Sequence, residues 1–196
     1  MSPDVVYLAR HGQTEWNLQR RWQGQLDSPL TEQGWQTASA LARFVVEHEI
    51  DAVFSSVLGR ARSTAGLAAD AIGVRLRALP DLAEVNHGQM GGMTPEEADH
   101  AFPGVRVSRE ADKHRWRFPA GESYADADER AARAVREVRR SGCHRPVIVS
   151  HEMIGRMLLR QVAHQAPHDT LGLQQPHHVV YRVDPAAGAI SRLSTS

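Results

Sequence analysis

A single cysteine, Cys143, in 196 residues excludes an internal disulfide, so no covalent framework holds this chain together. Such sparse cysteine usage fits a reducing compartment, and the expected location is cytoplasmic. Also missing is any apolar run long enough to span a bilayer: the stretch that begins at Val5 is broken at Arg10. Met1-Ser2-Pro3-Asp4 has neither the basic segment nor the apolar stretch of a secretory signal. Net charge is lacking too. Lys+Arg and Asp+Glu each total 23, so no global field draws nucleic acid or an anionic membrane. An anion bound by this chain has to be recognised locally.

No repeat or low-complexity linker interrupts the sequence. With 41% hydrophobic and 23% charged residues it has an ordinary globular balance, and its length suits one domain, 1–196, better than two. Nothing in it fixes the oligomeric state, and a homodimer stays open. Val5-Val6-Tyr7-Leu8-Ala9 is a short apolar run ending at Arg10-His11-Gly12, which predicts a buried strand followed by a turn. A helix is expected after Thr31, with Ala38, Leu41, Ala42 and Val45 on its inner face. Ala52-Val53-Phe54 predicts a second strand halted by Ser55-Ser56. The helix expected from about Arg60 buries Leu67, Ala68, Ala71 and Ile72.

Thr94-Pro95-Glu96-Glu97 has the form of a capping box, with Phe102-Pro103-Gly104 ending the short helix it opens. Ser123 caps a long helix whose inner face is Ala127, Ala131, Ala134, Val135 and Val138, closed by Gly142. Pro146-Val147-Ile148-Val149 is a further buried strand, ending in Ser150-His151, and a helix with Met153, Met157, Leu158 and Val162 follows. Val179 to Leu193 breaks at Asp184-Pro185-Ala186-Ala187-Gly188 and predicts a hairpin. The rhythm is that of an α/β fold: a mostly parallel mixed sheet between two helical layers. In such sheets ligands bind outside the carboxyl ends of the strands. Two strands far apart in sequence end in His11 and His151, so both histidines are expected at one crevice, with Arg60 beside them.

These residue types suit phosphate. A phosphate monoester is a dianion that repels nucleophiles, and guanidinium groups neutralise it while binding its oxygens in pairs. Arginines beside an imidazole also disfavour its protonation, which keeps a lone pair available for attack. The leaving oxygen needs a proton. Glu84, in Leu82-Ala83-Glu84-Val85-Asn86-His87-Gly88, is the best-placed donor.

Arg10-His11-Gly12-Gln13-Thr14-Glu15-Trp16-Asn17 resembles the opening signature of the histidine phosphatase superfamily, the phosphoglycerate mutase-like proteins. Gln23-Gly24-Gln25-Leu26-Asp27-Ser28-Pro29-Leu30-Thr31, Ser55-Ser56-Val57-Leu58-Gly59-Arg60-Ala61, Glu84 with its neighbouring glycines, and Val147-Ile148-Val149-Ser150-His151 resemble further blocks in the same order. The resemblance implies a phosphoglycerate mutase-like three-layer sandwich. It implies that His11 takes the phosphoryl group, that Arg10, Arg60 and His151 bind its oxygens, and that Asn17, Gln23 and the adjoining Gly24 complete the cradle. Glu84 is implied to protonate the leaving oxygen and then to deprotonate the attacking water. No metal or other cofactor is implied.

Many relatives carry glycine after the second histidine, where this chain has Glu152-Met153. Glu152 is expected to point away along its helix. The alternative is that it lines the pocket and disfavours substrates with a second anionic group. Residues 86–122 are expected to form a lid over the pocket. They hold a basic run, Arg106, Arg109, Lys113, His114, Arg115, Trp116 and Arg117, read as a solvated helix face. The competing reading has one or two of these residues, Arg115 or Arg117 among them, hold the non-reacting part of an anionic substrate.

Other chemistries fail on spacing. His177-His178 has no third ligand at metal spacing, and is read as the start of the hairpin. Gly155 stands where a zinc-protease helix beginning at His151-Glu152 needs its second histidine. Val149 replaces the arginine that a cysteine phosphatase loop from Cys143 requires. Asp126-Ala127-Asp128 falls inside a predicted helix, away from any strand end. The expected function is a phosphomonoesterase acting on a small phosphorylated metabolite. A cofactor-dependent phosphoglycerate mutase is the first alternative, and a non-catalytic phospho-ligand-binding protein the second.

Overall fold

The computed structural model describes residues 2–195. In chain order the elements are β1 (Val6–Arg10), α1 (Glu15–Leu18), α2 (Glu32–Glu47), β2 (Ala52–Ser56), α3 (Gly59–Ala71), β3 (Arg77–Leu79), α4 (Pro95–Ala101), α5 (Val105–Ala111), α6 (Tyr124–Arg140), β4 (Pro146–Ser150), α7 (Glu152–Ala163), α8 (Pro167–Thr170), β5 (Val179–Asp184) and β6 (Ala189–Ser194). Short 3₁₀ turns at Pro80–Leu82 and Gly88–Met90 flank the segment that carries Glu84.

One six-stranded sheet, in the order β3-β2-β4-β1-β5-β6, organises the fold. The first four strands run parallel, and β5 and β6 form an antiparallel hairpin against β1. The central strands are apolar at every position except their last residues because both faces are covered. Side chains alternate between the two faces. Leu8, Phe54 and Ile148 pack with Tyr124, Ala127, Ala131, Met157 and Leu158 on one side. Tyr7, Val53, Val147 and Val149 pack with Leu41, Phe44, Val45, Ala65 and Ala68 on the other. The expected mixed sheet with helices on both faces is therefore present.

Side-chain caps start α2, α4 and α6 where the sequence placed them. Thr31, Thr94 and Ser123 each accept a backbone N–H of the first turn, and Thr94 and Ser123 form reciprocal capping boxes. Two expectations need correction. Ser55 and Ser56 do not halt β2; both are strand residues, paired with Ala78 and Leu79 of β3. The buried stripe of α3 is Arg60, Ala61, Thr64, Ala65, Ala68 and Ala69, while Leu67 is half-buried and Ala71 exposed. Hydrophobicity misplaced that stripe because the helix turns its small residues toward the sheet and carries Arg60 inward with them.

Residue for residue, Arg10 at the end of β1 lies opposite Ser150 at the end of β4. The next residues, His11 and His151, emerge side by side, and the His11 backbone N–H donates to the Ser150 carbonyl at 3.0 Å. Parallel pairing of two strands almost 140 residues apart thus builds the floor of the site. Among the described residues, no helix is long and apolar enough to cross a membrane.

Candidate active site

His11 is buried, with 3% of its surface exposed. Its Nδ1 lies 2.7 Å from the Gly12 carbonyl oxygen. That oxygen can only accept, so Nδ1 carries the proton and Nε2 keeps its lone pair. Burial holds the imidazole well below the ordinary histidine range, and His151, Arg60, Arg10 and His177 push it further down. The result is a neutral imidazole in a fixed orientation, with a lone pair on Nε2 that is chemically able to attack an electrophile. His177, which the sequence placed at a hairpin start, adds a second support: its Nδ1 is 2.6 Å from the His11 carbonyl oxygen.

Arg60 reaches the same nitrogen from the first turn of α3. Its Nε donates to His11 Nε2 at 3.3 Å. Nη1 donates to the Leu26 carbonyl at 2.7 Å and to Asp27 Oδ1 at 2.9 Å, and Nη2 donates to the Gly24 carbonyl at 2.8 Å. The 24–27 loop therefore wraps this guanidinium and fixes its direction. Gly24 is required there, with φ of +53° and room for a Cβ only 2.9 Å from the His87 backbone nitrogen.

Arg10 is held differently. Its Nη1 donates to Glu152 Oε2 at 2.8 Å and to the Gln175 carbonyl at 3.3 Å. Its buried Nε has no partner among the described residues. The Nε–Nη2 edge of the guanidinium is left to bind an anion. His151 is fully buried, its ring centroid 5.1 Å from that of His11, and neither ring nitrogen has a partner among the described residues. Burial, followed by Arg60, Arg10 and Arg130, lowers its pKa well below the usual histidine value. Buried polar atoms are ordinarily paired, so such a cluster beside the His11 lone pair marks a candidate ligand position.

Asn17 and Gln23 line the cavity as expected. The Asn17 Oδ1 accepts from the backbone and hydroxyl of Thr14, which leaves its amide N–H groups as donors. Gln23 donates through Nε2 to Thr14 Oγ1 at 2.8 Å.

Glu84 is positioned by a helix to which it does not belong. His151 occupies the N-cap of α7 but makes no side-chain cap bond. Glu84 supplies the cap instead: Oε1 accepts from Ile154 N at 2.9 Å and Val85 N at 2.9 Å, and Oε2 accepts from Met153 N at 3.2 Å. The Met153 and Ile154 amides are among the donors that a helix start leaves unsatisfied. Capping therefore anchors the carboxylate at the cavity wall.

The expectation that Glu152 points away is wrong. It lines the cavity and forms ion pairs with Arg10 at 2.8 Å and Arg156 at 3.0 Å. The first α7 position lets its carboxylate lie over the strand ends, and two guanidiniums draw it there. The solvated-face reading of the basic run also fails in part. Arg109 and Lys113 line the cavity, whereas Arg115 and Arg117 are exposed and Arg117 pairs with Asp126. Sequence reasoning missed Arg21, His87 and Arg156, which line it too. Arg156 had a readable signal, standing one helical turn from Glu152; Arg21 and His87 had none.

The cavity, about 320 Å³, thus gathers Arg10, Arg21, Arg60, Arg109, Lys113 and Arg156 against two carboxylates, Glu84 and Glu152. A chain with no net charge concentrates positive charge at one place. That arrangement can neutralise a phosphate dianion and hold it against His11 Nε2.

Comparison with known proteins gives the same picture. The chain is 33% identical over 189 residues to mouse 6-phosphofructo-2-kinase/fructose-2,6-bisphosphatase 1, covering 95% of this chain and 38% of that protein. It therefore spans well under half the length of the curated relatives it matches. A mycobacterial glucosyl-3-phosphoglycerate phosphatase, solved with VO3, superposes with a TM-score of 0.84 at 27% identity over 92% of each chain. The alpha-ribazole phosphatase from Shigella flexneri shares the fold, with a TM-score of 0.83 at 21% identity over 98% of this chain and 96% of that one. The histidine phosphatase superfamily (branch 1) matches residues 6–194, and the chain belongs to that family.

Proposed function

We propose that the chain is a metal-independent phosphomonoesterase that works through a phosphohistidine on His11. The observation that carries this reading is the gathering around His11 of buried polar atoms with no partner among the described residues, Arg10 Nε and the His151 ring nitrogens, beside an Arg60 guanidinium that reaches His11 Nε2. The Arg60 Nε–H keeps its proton but turns its hydrogen bond from the Nε2 lone pair to a phosphoryl oxygen when substrate enters. Nε2 then forms the N–P bond as the ester P–O bond breaks, and Glu84, which takes up a proton from solvent as the phosphate dianion enters beside it, gives that proton to the departing oxygen. Water attacks phosphorus in the second step. Glu84, now a carboxylate, takes the proton of that water, the N–P bond breaks, and inorganic phosphate leaves.

The substrate is a small metabolite with a second anionic group. Arg109 and Lys113 face the cavity without a carboxylate partner among the described residues, and uncompensated cations in a cleft attract anions. The fructose-2,6-bisphosphatase in the name of the mouse relative agrees with a doubly charged sugar phosphate. Phosphate release from a panel of phosphorylated metabolites tests the proposal. Doubly anionic sugar phosphates should head the ranking, with turnover lost in His11→Ala. Equal turnover by His11→Ala would overturn it.

A further inference from the structure

Glu152 is the one acidic residue of the cavity that the proposed reaction does not use. Its two oxygens bind two different guanidiniums: Oε2 takes Arg10 Nη1 at 2.8 Å and Oε1 takes Arg156 Nη2 at 3.0 Å. Neither arginine is free to follow a moving carboxylate. Arg10 Nη1 is also tied to the Gln175 carbonyl, and Arg156 is tied to the Leu173 carbonyl at 2.7 Å and to the Tyr124 hydroxyl. The carboxylate is therefore fixed beside the phosphoryl position, with 29% of its side chain exposed and reachable from the cavity. Arg109 and Lys113 line the same cavity without a carboxylate partner among the described residues, and the charges acting on Lys113 include Arg156, Arg109 and Glu152.

We propose that Glu152 is a specificity-determining residue that disfavours a second anion next to the reacting phosphate, leaving Arg109 and Lys113, which line the cavity without a carboxylate partner among the described residues, to take an anion carried farther along the substrate. An anion on the carbon beside the phosphoester has to approach the fixed carboxylate, and like charges at contact distance repel. A hydroxyl in that place meets an acceptor instead and donates to it. The class favoured is a polyhydroxylated chain with phosphate at one end and an anion at the other. This inference rests on the reading of the cavity as a phosphomonoester site.

Three probes separate the possibilities: 2-phosphoglycolate, whose carboxylate adjoins the phosphoester carbon; 6-phosphogluconate, whose carboxylate lies at the far end of a polyol; and 4-nitrophenyl phosphate, with no second anion. Dissociation constants are measured by calorimetry in the His11→Ala background, so the comparison does not depend on turnover. The polyol probe should bind about tenfold or more tightly than phosphoglycolate, a ratio expected of a close charge in a partly exposed site. Adding Glu152→Gln should collapse that ratio toward one by strengthening phosphoglycolate most. A ratio unchanged by the glutamine, or phosphoglycolate binding as tightly as 6-phosphogluconate when Glu152 is intact, overturns the assignment. Should the glutamine variant fail to fold, the ratio with Glu152 intact decides. Normal binding ratios without turnover by the unmutated enzyme would instead remove the phosphatase reading and leave the charge selection standing.

Discussion

At the scale of single residues, the account turns on histidines kept neutral by their surroundings. Burial is the leading cause for His11, His87, His151 and His177, with neighbouring cations adding to it; His87 is lowered to about 3 and His177 to about 4. The unfolded chain takes up these protons near the ordinary histidine value of 6.5 while the folded one refuses them. Between the two values the unfolded state binds more protons, so stability is fully present above the unfolded pKa and falls as pH drops below it. Each such histidine contributes a slope of up to about 1.4 kcal/mol per pH unit. Urea denaturation between pH 4 and pH 7 checks this, and His87→Phe, which preserves the stack on Phe118, should flatten the slope. NMR titration of His11 should show no protonation around pH 6.5. Arg60→Lys should lower kcat by about 10²–10³, because one ammonium cannot bind the 24–27 carbonyls and still direct a donor at Nε2.

At the scale of elements, Glu84, the proposed proton donor, is held by the start of α7. Glu84→Ala should cost about 1–2 kcal/mol in denaturant unfolding, because it uncaps the helix. Glu84→Gln keeps an acceptor oxygen and should recover part of that loss, yet kcat on an alkyl phosphate should still fall by roughly 10²–10⁴. On 4-nitrophenyl phosphate, whose leaving group needs little protonation, the same variant should lose far less. An equal loss on both substrates would remove the proton-donor role.

This cap also shows where sequence reading stops. Thr31, Thr94 and Ser123 announce their helices because a side-chain cap acts within three residues. Glu84 caps α7 from about 70 residues away, through contacts that no local pattern encodes. The strands were legible because central parallel strands are buried on both faces, and their histidine ends located the site. The inner face of α3 was not, since alanines and glycine give no amphipathic contrast. Glu152 was misread for a related reason: its direction depends on Arg10, 142 residues earlier.

Across the whole molecule, neutrality hides a local concentration of charge. The cavity draws cations from β1, the loop after α1, α3, the 105–113 region and α7, and sets them against the carboxylates of Glu84 and Glu152 in its lining. Composition excluded a global field, and only folding shows where the positive groups collect. Reversing Arg109 or Lys113 to glutamate should lower kcat/KM for a doubly anionic substrate about 10–100-fold more than for 4-nitrophenyl phosphate. The same reversal at Arg115, which is exposed and lies outside the cavity lining, should leave that ratio unchanged.

The most direct test of the central claim is rapid-quench labelling with a ³²P-phosphomonoester in EDTA, quenched without acid and followed by mapping of the labelled peptide. The account predicts phosphate on residue 11, formed and lost at rates compatible with kcat and absent from His11→Ala. Undiminished turnover with label on another residue, or with none on residue 11 at any quench time, would contradict it.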